Sequence, residues 1–478
     1  MKKAITILLA VLMSTCSKPP TALDEILASG VLRVITKSGP TTYYRGTKEF
    51  EGPEYLLLRG FRNFLNAKYN RNLKLEITTI DQLSAILPAV ESENFHIAAA
   101  GLSITEKNQQ MVAFGPTYQT VKQSLIYRLG TGKPRNLSHL DGKKLEVMAG
   151  ASYIDTLKNK QLKHPDLIWS ENPNAEVSEL LMAVESQDID YTIADTTSFQ
   201  IYRQYMPDLR VAMHLKESDQ IAWAFNLNNS SSLRVEASKY FNTIKENGML
   251  EQILDRYYGH TTTFDYVGAR TFIRHFDSRL SSYRSLFEKA AKENSIDWRL
   301  LASISYQESH WDPSAVSRTG VKGMMMLTKV TADSLGIKNR VDPKQSIPAA
   351  AKYFSMLHQR LLDIPEPDRT WFAMAAYNIG FGHLQDARHI VRLNGGNPNR
   401  WLDVEEALPL LAQREWFSKV KYGYARGWET VKYVSNVRNY LGTLNWLTAN
   451  KQPNKNRATP IKHNLNTELN KKSTVLTF

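Results

Sequence analysis

The sequence pattern changes near residues 261–263, and this change restricts the chain to two domains of different class. Before it, β-branched and apolar runs such as Val31–Ile35 and Leu73–Thr78 alternate with helical runs such as Glu54–Lys68. After it, helical periodicity dominates to about Ala449. Alternating strands and helices predict βαβ units and a mostly parallel sheet. A long helical stretch with few strand signals predicts an all-α domain.

The length agrees with more than one domain, because 478 residues exceed what a single compact core usually holds. The composition is ordinary for a folded protein, with 42% hydrophobic and 22% charged residues, which excludes disordered and collagen-like classes for most of the chain. The predicted organisation is a signal peptide at 1–16, a connector at 17–30, an α/β domain at 31–262, a linker at 263–275, an all-α domain at 276–449 and a basic, flexible tail at 450–478.

The net charge of +13 favours an anionic partner. The chain has no zinc-finger spacing, no helical basic region and no RNA-binding aromatic signature, and part of the excess charge lies in the tail. Nucleic acid is therefore not the expected partner.

The N-terminus reads as a secretion signal, with a basic start at Lys2 and Lys3 followed by the apolar segment Ala4–Met13. Met13-Ser14-Thr15-Cys16 resembles a bacterial lipoprotein cleavage box, although Met and Thr replace the usual Leu and Gly or Ala. The resemblance implies lipidation of Cys16 and, because Ser17 follows, the periplasmic face of the outer membrane of a Gram-negative bacterium. The alternative is a signal peptide that happens to contain a cysteine. Cys16 is the only cysteine, so no internal disulfide is possible.

Three segments of the α/β domain resemble the family-3 solute-binding proteins over roughly residues 31–260: Leu32–Val34, Gly101–Phe114 and Asp190–Asp195. The resemblance implies a two-lobed periplasmic-binding-protein fold. It also implies a ligand site in which Ser103 and an Arg hold an α-carboxylate, Asp195 holds an α-ammonium and an aromatic residue such as Tyr44 forms a wall.

The Arg of that site is replaced by Asn108. An amide has no fixed positive charge, so the bidentate clamp on a carboxylate is weakened. A peptide or muropeptide is therefore a better candidate ligand than a free amino acid, and it could regulate the second domain. The alternative is that this domain binds no ligand and acts as a spacer.

The all-α domain carries one carboxylate on an apolar helix face. Asp297 can cap a helix that begins at Trp298. Leu301, Ile304 and Glu308 then recur at spacings of three and four, which place them on one face. A carboxyl there should be desolvated, and a raised pKa suits a general acid. The pattern alone also fits an exposed Glu at a helix end.

Several ordered motifs around Glu308 resemble the lytic transglycosylases of the goose-type lysozyme fold. They are Gln307–Pro313, Ala315–Ser317, Gly320, Gly323–Thr328, Ala375–Gly380 and Glu429–Val437. The resemblance implies cleavage of the MurNAc–GlcNAc bond of peptidoglycan, with Glu308 as acid and then base and a 1,6-anhydro product. Standard glycosidases need two catalytic carboxylates, and these motifs contain no recognisable second catalytic carboxylate.

The resemblance also implies roles for residues around Glu308. Ser317 and Tyr433 would hold Glu308 or the N-acetyl group, while Met326, Tyr377 and Asn378 would shape the sugar cleft and Glu429 would orient Tyr433 or a sugar. Many relatives have Gln where this chain has Met326, so an amide hydrogen bond at that place is excluded. Asn378 could instead cap its helix before Gly380.

We expect no metal and no cofactor, because His275, His383 and His389 show no ligand spacing with acidic partners and His310 is interpreted as structural. Two alternatives to a lytic transglycosylase remain open at this point. One is a muramidase that uses water, and the other is a peptidoglycan-binding sensor or scaffold that does not cut.

Overall fold

The computed structural model describes residues 20–45, 50–259 and 266–450. The predicted signal peptide, Cys16 and the tail beyond residue 450 lie outside the described residues. Within the described ranges, no helix combines the length and apolarity needed to cross a bilayer.

The first part of the chain alternates strands and helices, as the sequence predicted. Its elements, in chain order, are α1 (Ala22–Ser29), β1 (Val31–Thr36), β2 (Tyr44–Arg45), β3 (Phe50–Glu51), α2 (Pro53–Tyr69), β4 (Lys74–Thr79), α3 (Ile86–Glu91), β5 (Ile97–Ala98), α4 (Glu106–Gln109), β6 (Val112–Phe114), β7 (Gln119–Arg128), β8 (Glu146–Met148), α5 (Tyr153–Gln161), β9 (Ser170–Asn172), α6 (Val177–Ser186), β10 (Thr192–Asp195), α7 (Thr196–Arg203), β11 (Leu209–Ile221), β12 (Ala224–Asn226), α8 (Ser231–Glu246) and α9 (Met249–Tyr258).

These elements form two lobes. The first lobe has a five-stranded sheet in the order β4-β1-β5-β12-β6, and the second has a three-stranded sheet in the order β10-β7-β11 beside the β8-β9 pair. The chain leaves the first lobe through β7 and returns through β11, and these two long strands pair with each other. Separate apolar cores lie under each sheet, built around residues such as Phe61 and Trp223 in the first lobe and Leu125 and Phe199 in the second.

The prediction of a mostly parallel sheet is wrong in part. β1 pairs in parallel with β4 and β5, but β12 runs antiparallel to both β5 and β6. In the second lobe, β7 is antiparallel to β10 and β11. The cause is the crossover, because a chain that returns from the second lobe inserts its strand into the first sheet in the opposite direction.

The second part of the described chain is helical. Its helices are α10 (Tyr266–Ser278), α11 (Arg284–Glu293), α12 (Trp298–Ser309), α13 (Lys329–Ser334), α14 (Pro343–Gln359), α15 (Asp368–Ile379), α16 (Phe381–Leu393), α17 (Trp401–Ala407), α18 (Arg414–Phe417) and α19 (Gly427–Asn450). One large apolar core joins them, with Leu301, Ile304 and Trp311 near its centre. The predicted all-α class is confirmed.

Two segments that the sequence predicts as connections contain helices. Within the predicted connector, Thr21 caps α1 and the apolar side chains of Leu23 and Ile26 are buried. Within the predicted linker, α10 buries Phe272 against the helical core. In both cases a short apolar stripe finds a partner surface in the tertiary structure, which a reading of the local composition does not show.

Polar contacts join α9 of the first lobe to the helical domain. Gln252 Nε2 donates to Asp368 Oδ2 at 2.7 Å, and Arg256 lies 3.5 Å from the other oxygen of that carboxylate. Arg438 on α19 donates to the backbone oxygens of Asp255 and Arg256 at 3.0 and 3.1 Å. Since α19 also carries Tyr433, one helix connects the α/β part to the surroundings of Glu308.

Candidate active site and ligand cavity

Glu308 lies in the last turn of α12. The predicted cap is confirmed, because Asp297 Oδ1 accepts the backbone N–H of Arg299 at 2.9 Å. Leu301 and Ile304 are fully buried, whereas Glu308 on the same face is only partly buried. The helix ends at His310, which takes the left-handed conformation with φ of 54°. The buried face of α12 thus places the carboxyl of Glu308 at the edge of the core.

The carboxyl of Glu308 has one hydrogen-bond partner among the described residues. The hydroxyl of Tyr433 on α19 donates to Glu308 Oε1 at 2.7 Å. Removal from bulk water raises the pKa of Glu308 to about 7, although the hydrogen bond from Tyr433 acts in the opposite direction. Near neutral pH, Glu308 can therefore both give and take a proton, which is the property a combined acid and base needs.

A tight loop beneath Glu308 is anchored through its backbone. Ser309 Oγ donates to the carbonyl of Met324 at 2.8 Å, and the hydroxyl of Tyr377 on α15 donates to the carbonyl of Met325 at 2.9 Å. Met326 adopts a positive φ of 47°. Gly323 has φ of 100°, and a Cβ there would lie 2.5 Å from the carbonyl oxygen of Arg340. Only glycine fits that place without a backbone shift.

The remaining predicted cleft residues have contacts of their own. Asn378 Oδ1 accepts the hydroxyl of Thr430 at 2.8 Å, so this side chain joins α15 to α19 instead of capping its own helix. Glu429 is exposed and pairs with Arg426 at 3.2 Å. It lies one turn before Tyr433 and therefore on the same face of α19.

Ser317 lies in the loop that follows α12, and its side chain contacts Thr319 and Val321 of the same loop. Its hydroxyl accepts the backbone N–H of Val321 at 3.0 Å and lies 3.1 Å from the hydroxyl of Thr319. Among the described residues, the hydrogen-bond partner of the Glu308 carboxyl is Tyr433 and not Ser317. That Ser317 holds Glu308 or the N-acetyl group of the sugar therefore stays a prediction.

A second site is the cavity of about 240 Å³ between the two lobes of the α/β domain. Ser103, Asn108 and Asp195 line it, as the sequence predicted. The role of Tyr44 as an aromatic wall stays a prediction, but among the described residues Tyr44 does not line this cavity. The reason is that β2 pairs with β3, and the hydroxyl of Tyr44 donates to Glu51 at 3.2 Å in that hairpin.

The predicted ligand-binding side chains are partly engaged within the protein. Asn108 Nδ2 donates to the backbone oxygen of Ser103 at 3.3 Å. Asp195 Oδ1 accepts the backbone N–H of Ser198 at 2.8 Å, which caps α7. Burial raises the pKa of Asp195, although the hydrogen bonds from Ser198 lower it.

Further polar residues that the sequence did not predict line the cavity, above all Asp219 on β11 and Ser152 before α5. Asp219 accepts hydrogen bonds from Ser103, Gln123 and Ser152 at 2.7, 2.7 and 3.0 Å. The one local signal was Gly150-Ala151-Ser152, a run of small residues ahead of a helix. Nothing in the local sequence around Asp219 shows that it is buried.

No group of three or more His, Cys, Asp or Glu side chains suited to a metal ion occurs within residues 20–45, 50–259 and 266–450. His310 packs its ring against Tyr306 at a centroid distance of 4.8 Å, and its backbone oxygen accepts from Arg279.

Two family models match the chain. The transglycosylase SLT domain matches residues 285–397, which include Glu308, Ser317, Met326, Tyr377 and Asn378. The bacterial extracellular solute-binding proteins of family 3 match residues 32–260. The predicted fold class, a two-lobed binding-protein fold followed by an all-α lysozyme-like domain, is confirmed.

Whole-length relatives share both parts. The membrane-bound lytic murein transglycosylase F of Saccharophagus degradans is 44% identical over 431 residues, covering 90% of this chain and 85% of that protein. The corresponding protein of Pseudomonas putida is 42% identical over 442 residues, covering 92% and 90%.

Among solved structures, an ancestral arginine-binding protein bound to arginine is 22% identical, with a TM-score of 0.43, and covers 48% of this chain and 98% of that chain. An amino-acid transporter substrate-binding protein from Streptococcus pneumoniae is 20% identical, with a TM-score of 0.44, and covers 50% and 98%.

A helical SLT domain around Glu308, preceded by a family-3 solute-binding domain, defines a two-domain lytic transglycosylase. Identity of more than 40% to the relatives above extends over nine-tenths of the chain. The chain belongs to the family of membrane-bound lytic murein transglycosylase F.

Proposed function

We propose that this enzyme cleaves the β-1,4 bond between MurNAc and GlcNAc in peptidoglycan strands and leaves 1,6-anhydroMurNAc ends. The observation that carries the proposal is Glu308, whose pKa of about 7 and hydrogen bond from Tyr433 suit one group for two proton transfers. The family membership of the chain supports the substrate class.

In the first step, the protonated carboxyl of Glu308 gives its proton to the glycosidic oxygen. The bond between C1 of MurNAc and that oxygen breaks, and the GlcNAc side leaves as an alcohol. The carbonyl oxygen of the MurNAc N-acetyl group stabilises the positive charge at C1, so no carboxylate nucleophile from the enzyme is needed. Glu308 is now ionised, and the hydroxyl of Tyr433 stabilises its negative charge.

In the second step, the Glu308 carboxylate removes the proton from the C6 hydroxyl of MurNAc. The C6 oxygen attacks C1 and closes the anhydro ring. No water is consumed, and Glu308 is protonated again for the next cycle. Met326, Tyr377 and Asn378 surround this chemistry in the proposal, and Ser317 and Glu429 contact the sugar or its N-acetyl group from the rim.

Mass spectrometry of the soluble products from digested sacculi tests this function. We expect anhydro ends on the released fragments, because the C6 hydroxyl and not water attacks C1. A digestion in ¹⁸O-labelled water sharpens the test, since the proposed path incorporates no label. Reducing MurNAc ends that carry the label would mean that the enzyme is a muramidase, and intact sacculi would favour the sensor alternative.

The pH dependence of kcat/KM tests the state of Glu308. The first step needs the protonated carboxyl, so we expect activity to fall as pH rises through about 7. The Tyr433→Phe variant removes a hydrogen bond that lowers the pKa of Glu308, so its alkaline limb should move to higher pH. Its turnover should fall roughly tenfold or more, because a hydrogen bond to a charged group contributes about 1.5–3 kcal/mol.

Tyr283→Phe is the matched control for this change, since its ring packs against the same helical core. Tyr283→Phe should leave both the alkaline limb of the pH profile and the turnover unchanged. A limb that moves to lower pH in Tyr433→Phe would contradict the assignment of Glu308 as the acid.

The α/β domain in this proposal binds a peptide or muropeptide through an amine that faces Asp195. The polar contacts of Arg438 with Asp255 and Arg256 support coupling between that domain and α19. That a bound ligand changes turnover stays a prediction.

Lipidation of Cys16 and attachment to the periplasmic face of the outer membrane are proposed from the sequence alone, since Cys16 lies outside the described residues.

A further inference from the structure

A carboxylate of the protein itself lies in the cavity between the lobes. Asp219 on β11 is 1% exposed, and its Oδ2 accepts the hydroxyls of Ser103 and Ser152 at 2.7 and 3.0 Å and the amide of Gln123 at 2.7 Å. Its Oδ1 accepts from the ammonium of Lys216 at 2.6 Å. Four donors thus converge on one anionic group.

The negative charge of the Asp219 carboxylate is compensated by the donors around it. Burial alone would raise the pKa of Asp219, but the hydrogen bonds from Lys216, Gln123 and Ser103 outweigh it and lower the pKa. Such a set of donors is what a site for a ligand carboxylate needs. In this protein the carboxylate that these donors bind is the side chain of Asp219.

The same contacts connect the two lobes. Ser103 follows β5 of the first lobe, whereas Ser152 precedes α5 of the second lobe, and their hydroxyls are 3.0 Å apart. Lys37 at the end of β1 also reaches across, to Glu176 at 3.0 Å. Asp219 therefore makes the bridge between lobes that a bound carboxylate could otherwise make.

The charges that remain in the cavity favour a cation. Glu54, Glu176, Asp195 and Asp219 line it, against Lys37 and Lys107. Lys37 is paired with Glu176, and Glu54 already accepts from Trp223 and from the backbone of Gly101. Asp195 is left as the acid whose contacts are mainly with its own helix and Tyr153.

We infer that Asp219 acts as a built-in carboxylate that occupies the anion subsite, so the cavity selects ligands that bring an amine and no free α-carboxylate beside it. A peptide N-terminus has this chemistry, whereas a free amino acid brings a carboxylate that would meet Asp219. The inference that the ligand brings an amine rests on the proposed ligand-binding function of the α/β domain. The inference that Asp219 fills the anion subsite does not rest on that function.

Calorimetry on the full chain with two small probes tests the inference. L-alaninamide and L-alanine differ only in the amide or carboxylate at one end. We expect the wild type to bind alaninamide at least tenfold more tightly than alanine. In Asp219→Ala the four donors lose their acceptor, so the affinity for alanine should rise at least tenfold. Asp219→Asn keeps the space filled and should show no such gain.

Acetate provides a second readout that does not depend on the amine. Acetate should raise the melting temperature of Asp219→Ala by several degrees and leave that of the wild type unchanged, because only the variant has an open anion subsite. Glu236→Ala is the matched control for alanine binding. Its carboxylate is also buried and is paired with Lys68 and Lys239, but it lies outside the cavity lining.

The outcomes separate the two proposals. An Asp219→Ala protein that gains neither alanine affinity nor stabilisation by acetate overturns the inference, as does a wild type that prefers alanine to alaninamide. A wild type that binds neither probe, with a gain in the variant, supports the filled subsite and counts against the proposed amine ligand.

Discussion

Glu308→Gln should abolish turnover of sacculi, with a loss of at least about 10³-fold. General acid–base catalysis contributes about 10²–10⁴-fold for one proton transfer, and Glu308 serves two transfers in the proposed cycle. Glutamine keeps the size of the side chain and can still accept the hydrogen bond from Tyr433, but it cannot give or take a proton. Release of anhydro-muropeptides measures the effect, and binding to sacculi should be retained.

Stability separates this loss from misfolding. Because the folded-state pKa of Glu308 is raised from 4.5 to about 7, the ionised carboxyl costs stability as pH rises through that range. Glu308→Gln should therefore melt at the same temperature as the wild type at pH 4 and at the same or a higher temperature at pH 8. Glu293→Gln, an exposed Glu on α11, is the control and should keep full turnover. More than a tenth of wild-type turnover in Glu308→Gln would refute the role of Glu308.

Gly323→Ala should destabilise the helical domain by roughly 3 kcal/mol. A left-handed backbone costs an L-residue about 1–2 kcal/mol. The new Cβ would also lie 2.5 Å from the carbonyl oxygen of Arg340, so the backbone must move. That movement displaces the carbonyl of Met325, which accepts the hydroxyl of Tyr377, so turnover should fall as well. Urea denaturation followed by tryptophan fluorescence measures the change.

Gly320→Ala separates the two causes in the same loop. Gly320 also has a positive φ, of 80°, but nothing lies within 4 Å of a Cβ built there. This variant should lose only about 1–2 kcal/mol, from backbone strain alone. Equal effects at both positions would mean that the contact with Arg340 does not hold the loop.

The position of Glu308 at a helix end was readable from the sequence. The cap at Asp297 and the spacing of Leu301, Ile304 and Glu308 are local, so a single helix satisfies them whatever surrounds it. The change from alternating strands and helices to helices alone was readable for the same reason. The predicted connections were harder to assign from the sequence. They contain α1 and α10, short apolar helices whose burial depends on partners far along the chain.

The contacts that give the two sites their chemistry come from residues far apart in sequence. Tyr433 meets Glu308 across 125 positions, and Ser103 meets Asp219 across 116. The local sequence pattern does not show whether Asp219 is buried or whether Tyr44 lies in the β2–β3 hairpin. Helix packing and strand register decide both.

The sequence therefore determined the class of each domain, single elements such as β1, β4, α2 and α12, and which carboxylate could act as the acid, since these follow from local periodicity and motifs. The tertiary structure decided the antiparallel return strand, that Tyr433 of the two predicted hydroxyls donates to Glu308, and the carboxylate inside the cavity, since each depends on how distant segments pack.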